Sequence, residues 1–89
     1  MDDLEQTVQR GNSARQILVD PVFVEARQAL KDKYLSELLN SKAGEGDKRE
    51  TAYLKIKVLE DVLTELTIVE QRGVKADNDI KARKRRASQ

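Results

Sequence analysis

The chain has no cysteine and no histidine. Without thiols there are no disulfides and no thiolate chemistry, and without imidazole the usual proton shuttle and the commonest metal ligand are missing. Nucleophilic and metal-assisted catalysis are therefore not expected, nor is a cofactor. Aromatic residues are only 3% of the chain, and Phe23, Tyr34 and Tyr53 all fall on apolar faces at helical spacing. Core packing is their natural role, since base-stacking platforms would stand exposed beside cations. No apolar run approaches the roughly 18 residues of a membrane span, and the acidic start MDDLEQ lacks the basic-then-apolar pattern of a signal peptide. An intracellular soluble protein without membrane contact is expected. At 89 residues the chain makes one small domain at most and buries a small share of its surface, so a second chain is expected to complete the core.

Glycine and proline are also sparse, four and one respectively, and each coincides with a change of pattern. They predict an all-α fold: an antiparallel helical hairpin with a short N-terminal helix and a basic C-terminal tail. The helices are expected at about residues 3–19, 21–41 and 48–72, forming a helical domain over 1–74, with a flexible basic tail over 75–89. In the first helix Asp3 and Gln6 have capping-box spacing, and Gly11 to Ser13 predict a break with Ser13 as a new cap. Ala14, Ile17 and Leu18 give the second half one apolar edge.

The second helix has the clearest start. Asp20 suits the N-cap, and Pro21 suits the first helical position, where its missing N–H costs nothing. Phe23, Ala26, Leu30, Tyr34 and Leu38 then recur every three or four residues, with Val22, Leu35 and Leu39 widening the stripe. After the linker NSKAGEGDKRE, Asp47 and Glu50 read as a D-x-x-E capping box. Ala52, Ile56, Leu59, Leu63 and Leu66 keep one seam toward a partner helix. Gly73 is expected to stop this helix in the C′ position. Two long helices joined by a short flexible linker favour antiparallel packing.

The third helix carries more apolar residues than one seam needs: Tyr53, Val58, Val62, Ile68 and Val69 lie beside or away from it. Some of this excess is ordinary surface or is covered by the first helix. Val58, Val62 and Val69 are expected to form a second stripe for self-association, making the chain a homo-oligomer.

Little in the sequence favours catalysis. Glu60–Asp61 and Asp77–Asn78–Asp79 are the close acidic groups, and a carboxylate pair needs a shaped pocket to separate its pKa values. The first reads as a solvated helix face. The second lacks the spacing of a calcium loop and reads as a turn or linker. The stretch RGNSAR, with its single glycine, is better explained by a helix break than by a phosphate site.

The basic character lies at the end. Of 17 Lys and Arg, five are Lys81, Arg83, Lys84, Arg85 and Arg86; the other 12 face 16 Asp and Glu, a net −4 for the remainder. Such a block usually marks an interaction arm. Non-specific nucleic acid, an acidic protein surface, or solvent alone all satisfy it, whereas a membrane does not, because only Ile80 is at hand to anchor it.

The run ARQILVDPVFVEARQALKDKYLSELLNS, then DKRETAYLKIKVLEDVLTEL and RGV, resembles small helical-hairpin proteins encoded among the head and packaging genes of tailed bacteriophages. Those share a D-P-x-F-type helix start, a short polar linker, an RE-initiated second helix and a glycine stop. The matching residues are Asp20, Pro21, Phe23, Arg49, Glu50 and Gly73, with structural roles, over about residues 14–74. The end of the chain is also similar to the basic helical ends of phage scaffolding proteins, though here the cations follow the hairpin in a separate arm. The resemblance implies a non-enzymatic structural or assembly protein of the virion or host cytoplasm, with capsid, portal or other virion proteins as partners. A nucleic-acid-binding accessory protein and a small phage-encoded inhibitor of a host protein are the other readings.

Overall fold

The computed structural model describes residues 3–88, and its regular structure among them is entirely α-helix: α1 (Leu4–Val19), α2 (Pro21–Leu39) and α3 (Gly46–Ala87). Each helix begins on local polar groups. The carbonyl of Asp3 accepts both the N–H and the hydroxyl of Thr7, at 2.9 and 2.8 Å. Asp20 caps α2: its carboxylate accepts the Phe23 N–H at 3.0 Å, and Pro21 occupies the first helical position. At the other end the Asn40 N–H returns to the Ser36 carbonyl at 2.9 Å.

Four features differ from the sequence expectations. The helix α1 does not break at Gly11; it runs unbroken from Leu4 to Val19. The start of α3 is at Gly46 and not near Lys48, because Glu45 stands before the helix and its carbonyl accepts the N–H groups of Lys48 and Arg49 at 3.1 and 3.2 Å. Asp47 thus lies in the first turn, where its charge suits the helix dipole. Most consequentially, α3 does not stop at Gly73. It continues to Ala87, so the residues assigned to a flexible tail over 75–89 are helical as far as Ala87. No described glycine has positive φ, so Gly73 is an ordinary helical residue and not a left-handed cap. Finally, the contacts do not make one domain over 1–74 but two units: one of α1 with α3 from Glu65 onward, the other of Asp20–Thr64.

In the unit containing α1, two helix backbones touch. A Cβ placed on Gly11 would lie 2.7 Å from the Gly73 Cα and 3.3 Å from the Glu70 carbonyl oxygen. One placed on Gly73 would lie 2.7 Å from the Gly11 Cα and 3.2 Å from the Thr7 carbonyl oxygen. Only glycine permits so close a crossing. Ala14 and Ala76, each 3% exposed, extend it by three residues on either helix. Both expected glycine signals are explained by this contact: they are packing residues, and burial overrides their poor helix propensity.

In the unit of Asp20–Thr64, Phe23, Val24, Tyr34, Leu35 and Leu38 of α2 are half-buried, as are Ile56, Leu59 and Leu63 of α3. Ala26 and Leu30, expected on the buried stripe, are exposed. Contacts run in opposite order along the two helices. Arg27, Gln28 and Lys31 share a cleft with Ile56, Leu59 and Leu63. Glu37 pairs with Lys55, and the Arg49 guanidinium donates to the Lys42 carbonyl at 2.7 Å. Among the described residues the buried hydrophobic core is three alanines, Ala14, Ala52 and Ala76; no large side chain is fully buried.

Candidate functional site

Within Asp20–Thr64 the helical spacing of α3 puts Thr51, Leu54, Val58 and Val62 on one stripe. Leu54, Val58 and Val62 remain 53, 61 and 50% exposed. Together with Tyr34, Lys55 and Leu59 they line an open groove of about 430 Å³. One wall of the groove is held in place electrostatically. The Lys55 ammonium lies 5.4 Å from the centre of the Tyr34 ring and 3.6 Å from a Glu37 carboxylate oxygen, so the ring sits beneath a cation that is itself paired. The floor is mainly aliphatic, with the Thr51 hydroxyl at one end. What it can do is shed water against another apolar surface.

Val69 belongs to the other unit. There it is half-buried and lines an open groove with Ser13, Ala14 and Ile17 of α1 and with Leu66. Of the three residues expected to self-associate, Val58 and Val62 therefore share one exposed groove, and Val69 lies beside α1.

The five cations Lys81, Arg83, Lys84, Arg85 and Arg86 are all exposed on the last turns of α3. At 100° per residue they surround the helix and do not form one face. Two influences favour helix here. Cations near a C-terminus complement the dipole. Ion pairs also join adjacent turns, Lys75 to Asp79 and Lys81 to Asp77, each at 3.0 Å. Asp77–Asn78–Asp79, expected as a turn or linker, is thus a helical segment whose carboxylates hold lysines. The Ser88 hydroxyl donates to the Lys84 carbonyl at 2.9 Å and closes the end.

Between α2 and α3 a small polar cluster sets the turn. The Glu45 carboxylate accepts the Lys48 ammonium at 2.6 Å and the Lys42 N–H at 2.8 Å. These bonds, the lysine's first, hold the Glu45 carboxyl below the usual carboxylate range, and the same partner raises the Lys48 ammonium above its ordinary value. Among the described residues no group of three or more acidic side chains could hold a metal, and no helix is long and apolar enough to cross a membrane.

Two contacts were not foreseen from the sequence. Glu45 sat within a linker read only as polar. The glycine crossing had a visible signal: Gly11-Asn12-Ser13-Ala14 and Gly73-Val74-Lys75-Ala76 share the spacing G-x-x-A, a small-residue ridge on each of two helices. The chain matches no protein-family model, no curated protein and no solved structure.

Proposed function

We propose that this is a non-enzymatic structural or assembly protein, built on an antiparallel helical hairpin, that acts through self-association of α3 and contacts with other proteins. The observation that carries this reading is the core itself. Among the described residues the fully buried hydrophobic ones are alanines, while Leu54, Val58 and Val62 stay half or more exposed. A chain this small with so little buried apolar surface gains its missing stabilisation from a partner chain. The likeness to small head and packaging proteins of tailed bacteriophages agrees with it, and makes capsid, portal or another virion protein the further partner.

Sedimentation or light scattering at micromolar concentration should show a species larger than the 10.1 kDa chain. Polar substitution at both Val58 and Val62 should dissociate that species with little loss of helix. A stable monomer at those concentrations overturns the proposal. A second reading, binding of a nucleic-acid backbone by the end of α3, is favoured by the exposure of all five cations there.

A further inference from the structure

We infer that the groove floored by Leu54, Val58 and Val62 takes the same stripe of a second copy of this chain, running antiparallel, with the two Val58 residues at the two-fold axis. The inference rests on the self-association proposed above and names its surface, direction and register. The surface follows from exposure: within Asp20–Thr64 only Ala52 is fully buried among hydrophobic residues, and the three stripe residues stay open.

The direction follows from charge. On α3, Lys55 and Lys57 lie on the N-terminal side of Val58, and Glu60 and Asp61 lie on its C-terminal side. A parallel pair would set ammonium beside ammonium at one end and carboxylate beside carboxylate at the other. An antiparallel pair sets the lysine end of each copy beside the carboxylate end of its partner. Lys57 and Asp61 stand four residues apart on one helix, yet among the described residues neither holds an ion pair within its own chain. Both are available across such an interface.

The register follows from symmetry, because an isologous contact pairs residue 58 + n with residue 58 − n. Leu54 then meets Val62 of the second copy and Val58 meets Val58, so the three apolar residues of the stripe all face apolar residues, while Thr51 at its end falls opposite Glu65. Lys57 and Asp61 of the second copy fall within a turn of each other on the same flank, giving two opposite-charge pairs against one like-charge approach, that of the two Lys57 residues at the same axial spacing. The apolar stripe and the charge order therefore select one arrangement between them.

Since the chain has no cysteine, a single introduced thiol reports one position without background. Under mild oxidation, Val58→Cys in the full chain should give a disulfide-linked dimer. Leu54→Cys and Val62→Cys should link poorly to themselves, their own copies lying roughly 12 Å apart along the axis, and readily to each other when mixed. Tyr53→Cys, exposed on another face, should stay mostly unlinked. Lys57→Glu or Asp61→Lys alone should weaken dimerisation about three- to tenfold, and the double variant should restore it.

If the protein sediments as an oligomer but Val58→Cys links no faster than Tyr53→Cys, this groove is not the interface and self-association stands without it. Self-linking of Leu54→Cys as strong as that of Val58→Cys overturns the antiparallel direction. A monomer overturns both proposals, and a heterologous protein seated on the groove of that monomer identifies the occupant as another chain.

Discussion

A methyl group added at residue 11 has nowhere to go. Its nearest neighbour would be a backbone carbon 2.7 Å away, with the Glu70 carbonyl oxygen behind it, so the helices must separate to admit it. Gly11→Ala should cost about 1–3 kcal/mol by overpacking, even though alanine is intrinsically the better helix former by roughly 1 kcal/mol. Gly44→Ala is the control, because a Cβ there meets nothing within 4 Å and the backbone has no positive φ. It should be neutral or stabilise by about 0.4–1 kcal/mol through the unfolded chain. Urea denaturation of the two variants checks the difference, and equal midpoints would show that the Gly11–Gly73 contact does not hold the unit together. The same residues show why a glycine misleads when read locally. Its propensity is visible in sequence, whereas a second helix approaching its α-carbon is visible only when a matching ridge is sought far along the chain.

At the scale of elements, the start of α2 was legible and the end of α3 was not. Asp20 with Pro21 specifies a start through one side chain and one ring, within four residues, and α2 begins there. The extent of α3 depends instead on many weak terms: dipole, ion pairs at Asp77 and Asp79, and packing at Gly73 and Ala76. No single residue announces their sum. The turn between α2 and α3 gives an element-scale prediction. Glu45 titrates below its ordinary value in the folded chain, so its contribution is complete above the usual glutamate range and is lost as pH falls through its lowered pKa. Lys48 has the opposite sign: its raised pKa contributes below the ordinary lysine range and is lost as pH rises through it. The turn is therefore best held between those limits. In an NMR titration, Lys48→Met should move the Glu45 carboxyl back up toward its ordinary pKa. An unchanged Glu45 titration would show that the ammonium is not its main partner.

For the whole molecule, charge and apolar exposure are separated along the sequence, with the apolar stripe in Asp20–Thr64 and the cations at the end of α3. Val58 and Val62 were legible from periodicity, but Leu54 beside them was not singled out; that α1 lies beside Val69 was not legible either, since nothing near Val69 in sequence encodes α1. Deleting residues 81–89 should remove the helical signal of residues 81–87 and leave self-association intact. If the cations serve nucleic acid, the deletion should also abolish retention on DNA. The intact chain should then show a slope of log K against log salt of roughly −4 to −5 for duplex DNA, from about five phosphate contacts. Absence of DNA affinity at low salt would assign the cations to an acidic protein partner. The glycine crossing has one more consequence, in time. Gly11 precedes Gly73 by 62 positions, and synthesis at about 5–20 residues per second puts roughly 3–12 s between them. The contacts within Asp20–Thr64 can form during that interval. The segment of α1, made before its partner, therefore waits to find its place, and until α3 has passed Gly73 the edge carrying Ala14 and Ile17 is open to whatever the nascent chain meets.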